Sequence, residues 1–266
     1  MDKNELIKRY ASDSEGKLLL AQVLDKLKIM EERNILSYTK FLNEQQRSTV
    51  EKLIAGCGHP RHAFIPAYES AVRTVLVFLP DYMEPSRLYQ EEISPISVIR
   101  ATYSTTAKQP GHRDFLGSLM GLGIKRETIG DILVGKNSCD IVIMKEILPF
   151  LLTNFESAGR VKLSVSVIPY DEIIIPDLKY KLIKDTVASL RLDSIVASSF
   201  SLSREKAVSA IKAGIVSLQH QECTKADKTV AEGDIISVRG FGKIELLEIG
   251  NKSRKGRIFI SIKRYL

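Results

Sequence analysis

Apolar residues recur at helical spacing over residues 14–33, where Leu18, Leu19, Val23, Leu24, Leu27 and Met30 mark the stripe. The stretch NEQQRSTVEKLIAG follows, with Asn43 as the N-cap, Gln46 three residues on, apolar Val50, Leu53 and Ile54, and Gly56 as the stop. Residues 1–70 are therefore expected to form a small helical domain without chemistry of its own. From about residue 71 the period shortens, and VRTVLVFLP reads as a strand. Beyond a polar, proline-containing loop the elements run strand ISVIRATYS, helix RDFLGSLMGLG, strand GDILVG, strand CDIVIMK, helix EILPFLLTNFESAG and strand VKLSVSVIP. The two strands around GKNS read as a hairpin. This β-α-β-β-α-β order predicts a ferredoxin-like domain, an antiparallel sheet covered by two helices, over 71–184 with its connector YDEIIIPDLKYKLIKD. Residues 185–266 begin with two short helices, about 193–200 and 203–213, and continue as strands GIVSLQ, GDIISVRG, FGKIELLEIG and RIFISIKRYL. In the last of these Ile258, Ile260 and Ile262 alternate with Phe259, Ser261 and Lys263, the pattern of a strand with one buried face. The expected class is α+β in three domains.

Composition changes this picture little, and charge changes it more. With 44% hydrophobic and 27% charged residues the chain is ordinary for a soluble globular protein. No run approaches the roughly 20 apolar residues of a bilayer span, and MDKNELIKRY lacks the apolar stretch of a secretion signal. Cys57, Cys139 and Cys223 lie far apart without a CxxC pair, which suggests the reducing cytoplasm. In CGHPRH, Cys57, His59 and His62 lack a fourth ligand and regular spacing, so a helix end followed by a proline turn is the better reading than a metal site. The net charge is +7, and residues 186–266 hold 14 basic against 8 acidic side chains, so six of the seven surplus charges sit in the last third. That asymmetry points to a polyanion-binding module joined to near-neutral domains.

The basic groups fall where a helix alone would not want them. Arg204 and Lys206 lie in the first turn of the helix at 203–213, where free N–H groups and the macrodipole favour anions. Ser203 is a good N-cap, yet position 206 holds Lys where a capping box would have Glu or Gln. Arg204, Val208 and Lys212 run along one edge of the apolar face, and a phosphate bound at the helix start would turn the electrostatic penalty into a charge-assisted contact. Arg191, Arg239, Lys243, Lys252, Arg254, Lys255 and Arg257 belong to the same small domain. Such a set suits nucleic-acid binding led by the phosphate backbone, with its cations gathered into one patch.

RLDSIVASSFSLSREKAVSAIKAGIVSL, continued by VAEGDIISVRGFGK, resembles the S-four-type RNA-binding domain, named after a small-subunit ribosomal protein. The likeness rests on Arg191-Leu192-Asp193, Ser203-Arg204, Ala207, Ile211, Gly214, Val216 and Gly233-Asp234, and departs at Gln219, where the family often has Asn in a Val-Asn-Gly turn. The resemblance implies RNA contact through the second helix and adjoining strand edge, hence Ser203, Arg204, Lys206 and Lys212 with Arg191 and Lys243 nearby. Asp193 reads as a helix-start and ion-pair residue. GHRDFLGSLMGLGIKRETIGDILV, residues 111–134, resembles the signature of the YlmH family, bacterial cytosolic proteins that end in this domain. That likeness extends over roughly 40–266, and departs where Pro66-Ala67-Tyr68 and Ala71-Val72-Arg73 replace the usual Gly-Gly-Tyr and Ala-Glu-Arg.

Membership of that family implies a non-enzymatic binder of structured RNA, rRNA or tRNA, acting on the large ribosomal subunit with stalled peptidyl-tRNA in ribosome-associated quality control. His112 and Arg113, placed just before a helix at 114–122, with Lys125 and Arg126 beyond its end, offer a second RNA or ribosome surface. The glycines of GSLMGLG match neither GxGxxG nor a Walker A loop, and read as packing positions. No catalytic set stands out, and no cofactor, metal, membrane or small-molecule substrate is expected. The alternatives are an RNA-modifying enzyme of pseudouridine synthase or methyltransferase type, which uses the same module to capture substrate, and a factor whose basic surface meets an acidic protein or membrane.

Overall fold

Burial alternates along the last strands of the chain, while strands covered on both faces read as unbroken apolar runs and one strand hides core positions behind hydrogen-bonded hydroxyls. The computed structural model describes residues 3–11, 13–104, 109–177 and 180–265 and divides into two compact units, Met1–Pro176 and Asp177–Leu266. The first unit opens with helices α1 (Lys3–Tyr10) and α2 (Ser14–Arg33), strand β1 (Ser37–Leu42), helix α3 (Glu44–Gly56) and strands β2 (His62–Ile65) and β3 (Thr74–Phe78). Asp13 caps α2 by accepting from the Gly16 N–H at 2.7 Å. Asn43 and Gln46 form the expected reciprocal capping box on α3, with bonds of 2.8 and 2.9 Å. The CGHPRH stretch ends that helix at Cys57 and turns through left-handed Gly58 and His59, with His62 Nδ1 2.7 Å from the Pro60 carbonyl.

The first 70 residues are not all helical, because β1 and β2 flank β3 in an antiparallel sheet of order β1-β3-β2. The signal was hidden in β1, whose inward positions include Ser37 and Thr39 as well as Phe41. Those hydroxyls are satisfied internally, Ser37 Oγ donating to the Lys26 carbonyl and Thr39 Oγ1 accepting from the Leu76 N–H. Strand β3, expected to open the middle domain, lies at the centre of this N-terminal sheet instead, and all five of its residues are buried.

The middle elements are β4 (Ile96–Thr102), α4 (His112–Gly121), β5 (Ile129–Val134), β6 (Ser138–Met144), α5 (Leu148–Asn154), β7 (Ser157–Ala158), β8 (Val161–Lys162) and β9 (Ser164–Ile168). Their antiparallel sheet has order β5-β6-β4-β9, the arrangement of a split β-α-β unit, while β7 and β8 pair separately. Ile141 and Ile143 of β6 pack with Phe115 and Leu119 of α4, whereas Val142 and Met144 join Phe41, Ile65, Val75 and Val77 of the N-terminal sheet. The middle sheet is thus covered on both faces, which is why CDIVIMK carries an unbroken apolar run. That shared core makes one unit of what would otherwise be two, and the boundary expected near residue 70 falls inside it.

The second unit contains β10 (Tyr180–Val187), α6 (Leu192–Phe200), α7 (Arg204–Lys212), β11 (Val216–Leu218), β12 (Gln221–Glu222), β13 (Ile235–Val238), β14 (Gly242–Lys252) and β15 (Ile258–Tyr265). They form an antiparallel six-stranded sheet of order β10-β15-β14-β13-β11-β12, with α6 and α7 packed on one face around Leu192, Ile195, Val196, Ala207 and Ile211. The expected connector is corrected here. Residues 180–184 are the start of β10, paired with β15 from Tyr180 opposite Tyr265 to Val187 opposite Ile258, while its Leu178 and Lys179 lie outside the described residues. Ile183 and Val187 face the core but Tyr180 and Leu182 are exposed, so apolar side chains on both faces blurred the period. The departure at Gln219 has a structural reading: Gln219 (φ 48°) and His220 (φ 62°) are both left-handed and make the two-residue β11–β12 turn without a glycine. Gln219 Nε2 donates to Asp234 Oδ1 at 2.8 Å. Among the described residues no helix is long and apolar enough to cross a membrane.

Gly130 of β5 lies where the two sheets of the first unit close on each other. A Cβ there would stand 2.9 Å from both the Phe41 ring and Val142 Cβ. Gly130→Ala is expected to destabilise the chain by about 1–3 kcal/mol through overpacking, read as a lower denaturation midpoint at unchanged slope.

Candidate nucleic-acid interface

One carboxylate organises the helical edge of the second unit. Asp193, in the first turn of α6, is 1% exposed and receives both Arg191 Nε and Arg191 Nη2 at 3.1 Å, together with Arg204 Nε at 3.2 Å. Burial by itself would raise its pKa, but the Arg191 and Arg204 hydrogen bonds and charges overcome this and hold the carboxyl below the ordinary value. The hydrogen bond to Asp193 raises the Arg191 pKa in turn. The side chains of Arg191 and Arg204 nevertheless remain 41% and 57% exposed, so each is fixed at one end and open to solvent. Asp193 therefore has the ion-pair role that its place at the helix start suggested.

Helix α7 supplies the next cations. Ser203 Oγ accepts the Lys206 backbone N–H at 3.2 Å and caps the helix, and the Lys206 residue is exposed. Arg204, Glu205, Val208 and Ser209 line a shallow groove along it, and Lys212 is exposed in the last turn. Arg239 is exposed where its N–H bonds the Ile215 carbonyl, just beyond α7, and the β13–β14 turn separates it from Lys243. The structure thus brings Arg191 and Arg204 together, sets Lys206 and Lys212 on the same helix, and puts Arg239 and Lys243 around one turn.

It does not bring all the expected cations together. Lys252, Arg254 and Lys255 are exposed at the β14–β15 turn, nine residues along from Lys243. At about 3.3 Å per residue, that is roughly 25–30 Å away. The expectation of a single basic patch is therefore corrected, since Lys243 and the Lys252–Lys255 turn stand at opposite ends of β14. Arg257 is committed to structure, donating to Thr186 Oγ1 at 2.9 Å and to the Thr186 carbonyl.

Several residues near the Lys243 end escaped sequence reasoning. Lys263 lies over the rings of Tyr180 at 4.7 Å and Tyr265 at 5.3 Å, and Arg264 over Phe200 at 4.9 Å. Burial raises the Tyr265 pKa to about 12, helped by its 2.8 Å bond to Glu245. The alternation in RIFISIKRYL put Lys263 on the outer face, and would have been the signal had β10 been read as its partner strand.

In the first unit, His112 and Arg113 are inside α4 rather than before it, because Gly111 is the N-cap and Asp114 Oδ2 accepts the Gly111 N–H at 2.8 Å. Asp114 is thereby spent on the cap, and Arg113 is exposed. Lys125 is exposed, with its carbonyl accepting from Thr128 Oγ1 at 2.8 Å. Arg126 turns inward, Nη1 donating to the Ile129 carbonyl at 2.6 Å and to the Gly130 carbonyl at 3.3 Å. It interacts with His112, Arg73 and Asp131, so the four cations do not form one open surface. Desolvation of the ring lowers the His112 pKa first, Arg126 adds to this, and Asp131 opposes it. Among the described residues no group of His, Cys, Asp and Glu is arranged to hold a metal ion.

Residues 90–172 match the family described as "Putative RNA-binding domain in YlmH", and residues 190–236 match the S4 domain. Ribosome-associated protein quality control protein P2 of Bacillus subtilis (strain 168) is 28% identical to the chain over 243 residues, covering 91% of it and 93% of that relative. The solved structure of cell division protein ylmH from Streptococcus pneumoniae is 24% identical and covers 62% of this chain and 97% of its own, with a TM-score of 0.49.

The Asp193 cluster makes a pH-resolved prediction. A carboxyl whose folded pKa is depressed stabilises the fold above its unfolded value and loses that contribution as pH falls through the folded value. Wild type should exceed Asp193→Asn by about 1–2 kcal/mol near neutrality, and the gap should close as the pH is taken below about 4 in urea titrations.

Proposed function

We propose that the chain, which carries the YlmH-type RNA-binding domain and an S4 domain, is a member of the YlmH family and binds structured RNA on the ribosome as a non-enzymatic factor of ribosome-associated quality control. The observation that carries this reading is the pair Arg191 and Arg204, both fixed on the buried Asp193 carboxylate and both open to solvent. A guanidinium held this way has little side-chain entropy left to lose and keeps further N–H donors for a phosphate. Lys206, Lys212 and Arg239 extend the positive charge as exposed side chains, and Lys243 adds to it from over the Tyr265 ring. The pairing of a YlmH-type RNA-binding domain with an S4 domain supports the class of ligand. The curated relative's name supports the setting. We assign ribosomal RNA or tRNA on the large subunit as the target, in the cytoplasm, with contacts made mainly to the backbone and therefore weakened by salt. Lys252, Arg254 and Lys255, at the far turn, form a separate and weaker contact in this reading.

Arg204 is a poor residue with which to test the idea, because a Glu there would face Asp193. Lys206→Glu combined with Lys212→Glu avoids that difficulty. The double variant should keep the wild-type melting temperature and lose co-sedimentation with ribosomes at moderate salt. Sedimentation equal to wild type would defeat the proposal.

A further inference from the structure

The first unit holds a second group of cations built differently from the first. Asp131 of β5 accepts through one oxygen, Oδ2, from Tyr68 Oη at 2.9 Å and from the Val72 N–H at 2.8 Å. This ties the loop carrying Arg73 to the edge strand of the middle sheet. Arg73 donates Nη2 to the Phe41 carbonyl at 3.2 Å, and its Nε is enclosed without a hydrogen-bond partner. Arg126 uses Nη1 on the Ile129 and Gly130 carbonyls. Both arginines sense Asp131, yet neither is in ion-pair contact with it among the described residues.

The result is two half-buried guanidinium groups near one carboxylate that pairs with neither and already accepts from a hydroxyl and the Val72 and Arg73 N–H groups, with the His112 ring feeling the charges of Arg126 and Asp131. Their mutual cost is visible in Arg73, whose pKa burial and then Arg126 push down to about 10. A cluster serving only the fold would be expected to pair its cations directly with the carboxylate beside them. Here the carbonyl contacts fix the two guanidinium groups in place and leave most of their five N–H donors each unused. An arriving phosphate would accept from both and remove the repulsion.

We propose that Arg73, Arg126 and His112 form a notch for an RNA backbone phosphate, with Asp131 and Tyr68 positioning the loop that carries Arg73. This rests on the reading that the chain binds structured RNA, and adds a contact site on the other compact unit. Asp131 then acts as a brake, since its negative charge opposes the incoming phosphate while its hydrogen bonds hold the site in shape.

The test uses the full chain, labelled unfractionated tRNA and purified large ribosomal subunits, with affinity measured across a salt series. Arg126→Gln should lower the slope of log affinity against log salt by about one, with a several-fold loss of affinity. Asp131→Asn keeps an acceptor for Tyr68 and Val72, so it should tighten binding several-fold; a residue with only a structural role would not move binding in that direction. The two variants bracket the site without touching Arg73, whose loss would also free the Phe41 carbonyl. Wild-type binding that Lys206→Glu with Lys212→Glu abolishes, together with an unchanged slope in Arg126→Gln or weaker binding in Asp131→Asn, overturns this inference alone. Absence of RNA binding by wild type overturns the functional reading and this inference with it. Retention on phosphatidylserine vesicles that Arg126→Gln abolishes, with RNA binding untouched, overturns it in favour of a membrane ligand.

Discussion

A single carboxylate with almost no access to water, Asp193, sets the geometry of the helical edge proposed to meet RNA. Leaving it buried and unpaired would cost several kcal/mol, so the fold is stable only with cations beside it. Arg191 comes from the residue preceding α6 and Arg204 from the first turn of α7, which ties the entrance of one helix to the entrance of the next. The same contacts settle why Arg204 can occupy a helix start, where the macrodipole disfavours it. Its charge is offset by Asp193 within the fold. In the reading proposed above, the same guanidinium group pairs with Asp193 through Nε and offers its remaining N–H donors to a phosphate.

The first unit solves a different problem. Its middle sheet presents apolar residues on both faces, and neither face can be left to water. Helices α4 and α5 cover one face through Phe115, Leu119 and Leu151, and the N-terminal sheet covers the other through Phe41, Val75 and Val77. This double cover brings the loop before β3 against β5. Tyr68 thereby bonds Asp131, and Arg73 comes near Arg126 and Asp131, although up to about sixty residues separate them in sequence. The YlmH-type domain and the preceding segment contribute jointly to that cluster.

Much of this was legible in the sequence, for reasons that differ by element. The helices of the second unit were readable because Ala207, Ala210 and Ile211 repeat at helical spacing behind Ser203, and each chemical signal agrees with the next. The α3 capping box was readable because Asn43 and Gln46 are a purely local device. Strand β1 was not, since buried Ser37 and Thr39 present a core position as a polar one. Strand β10 was obscured by Tyr180 and Leu182 on its exposed face. Residues of the candidate site followed the same division. Arg204 and Lys206 sit beside the residues that define their surroundings, so their unusual position could be noticed. Arg73 meets Arg126 only through tertiary packing, and stood out in the sequence merely as a departure from a family pattern. The separation of Lys252 from Lys243 likewise depends on β14 running as one extended strand from Gly242 to Lys252, which composition cannot express.

The central claim is that the α7 edge of the second unit meets RNA directly. A photoreactive amino acid placed at Lys212, and separately at Phe259 on the outer face of β15, would test it in cells, with the attached RNA sequenced after irradiation. The account requires ribosomal RNA or tRNA crosslinked from position 212 and far less from position 259. Crosslinks from 212 to protein alone, or equal RNA recovery from both positions, would contradict it.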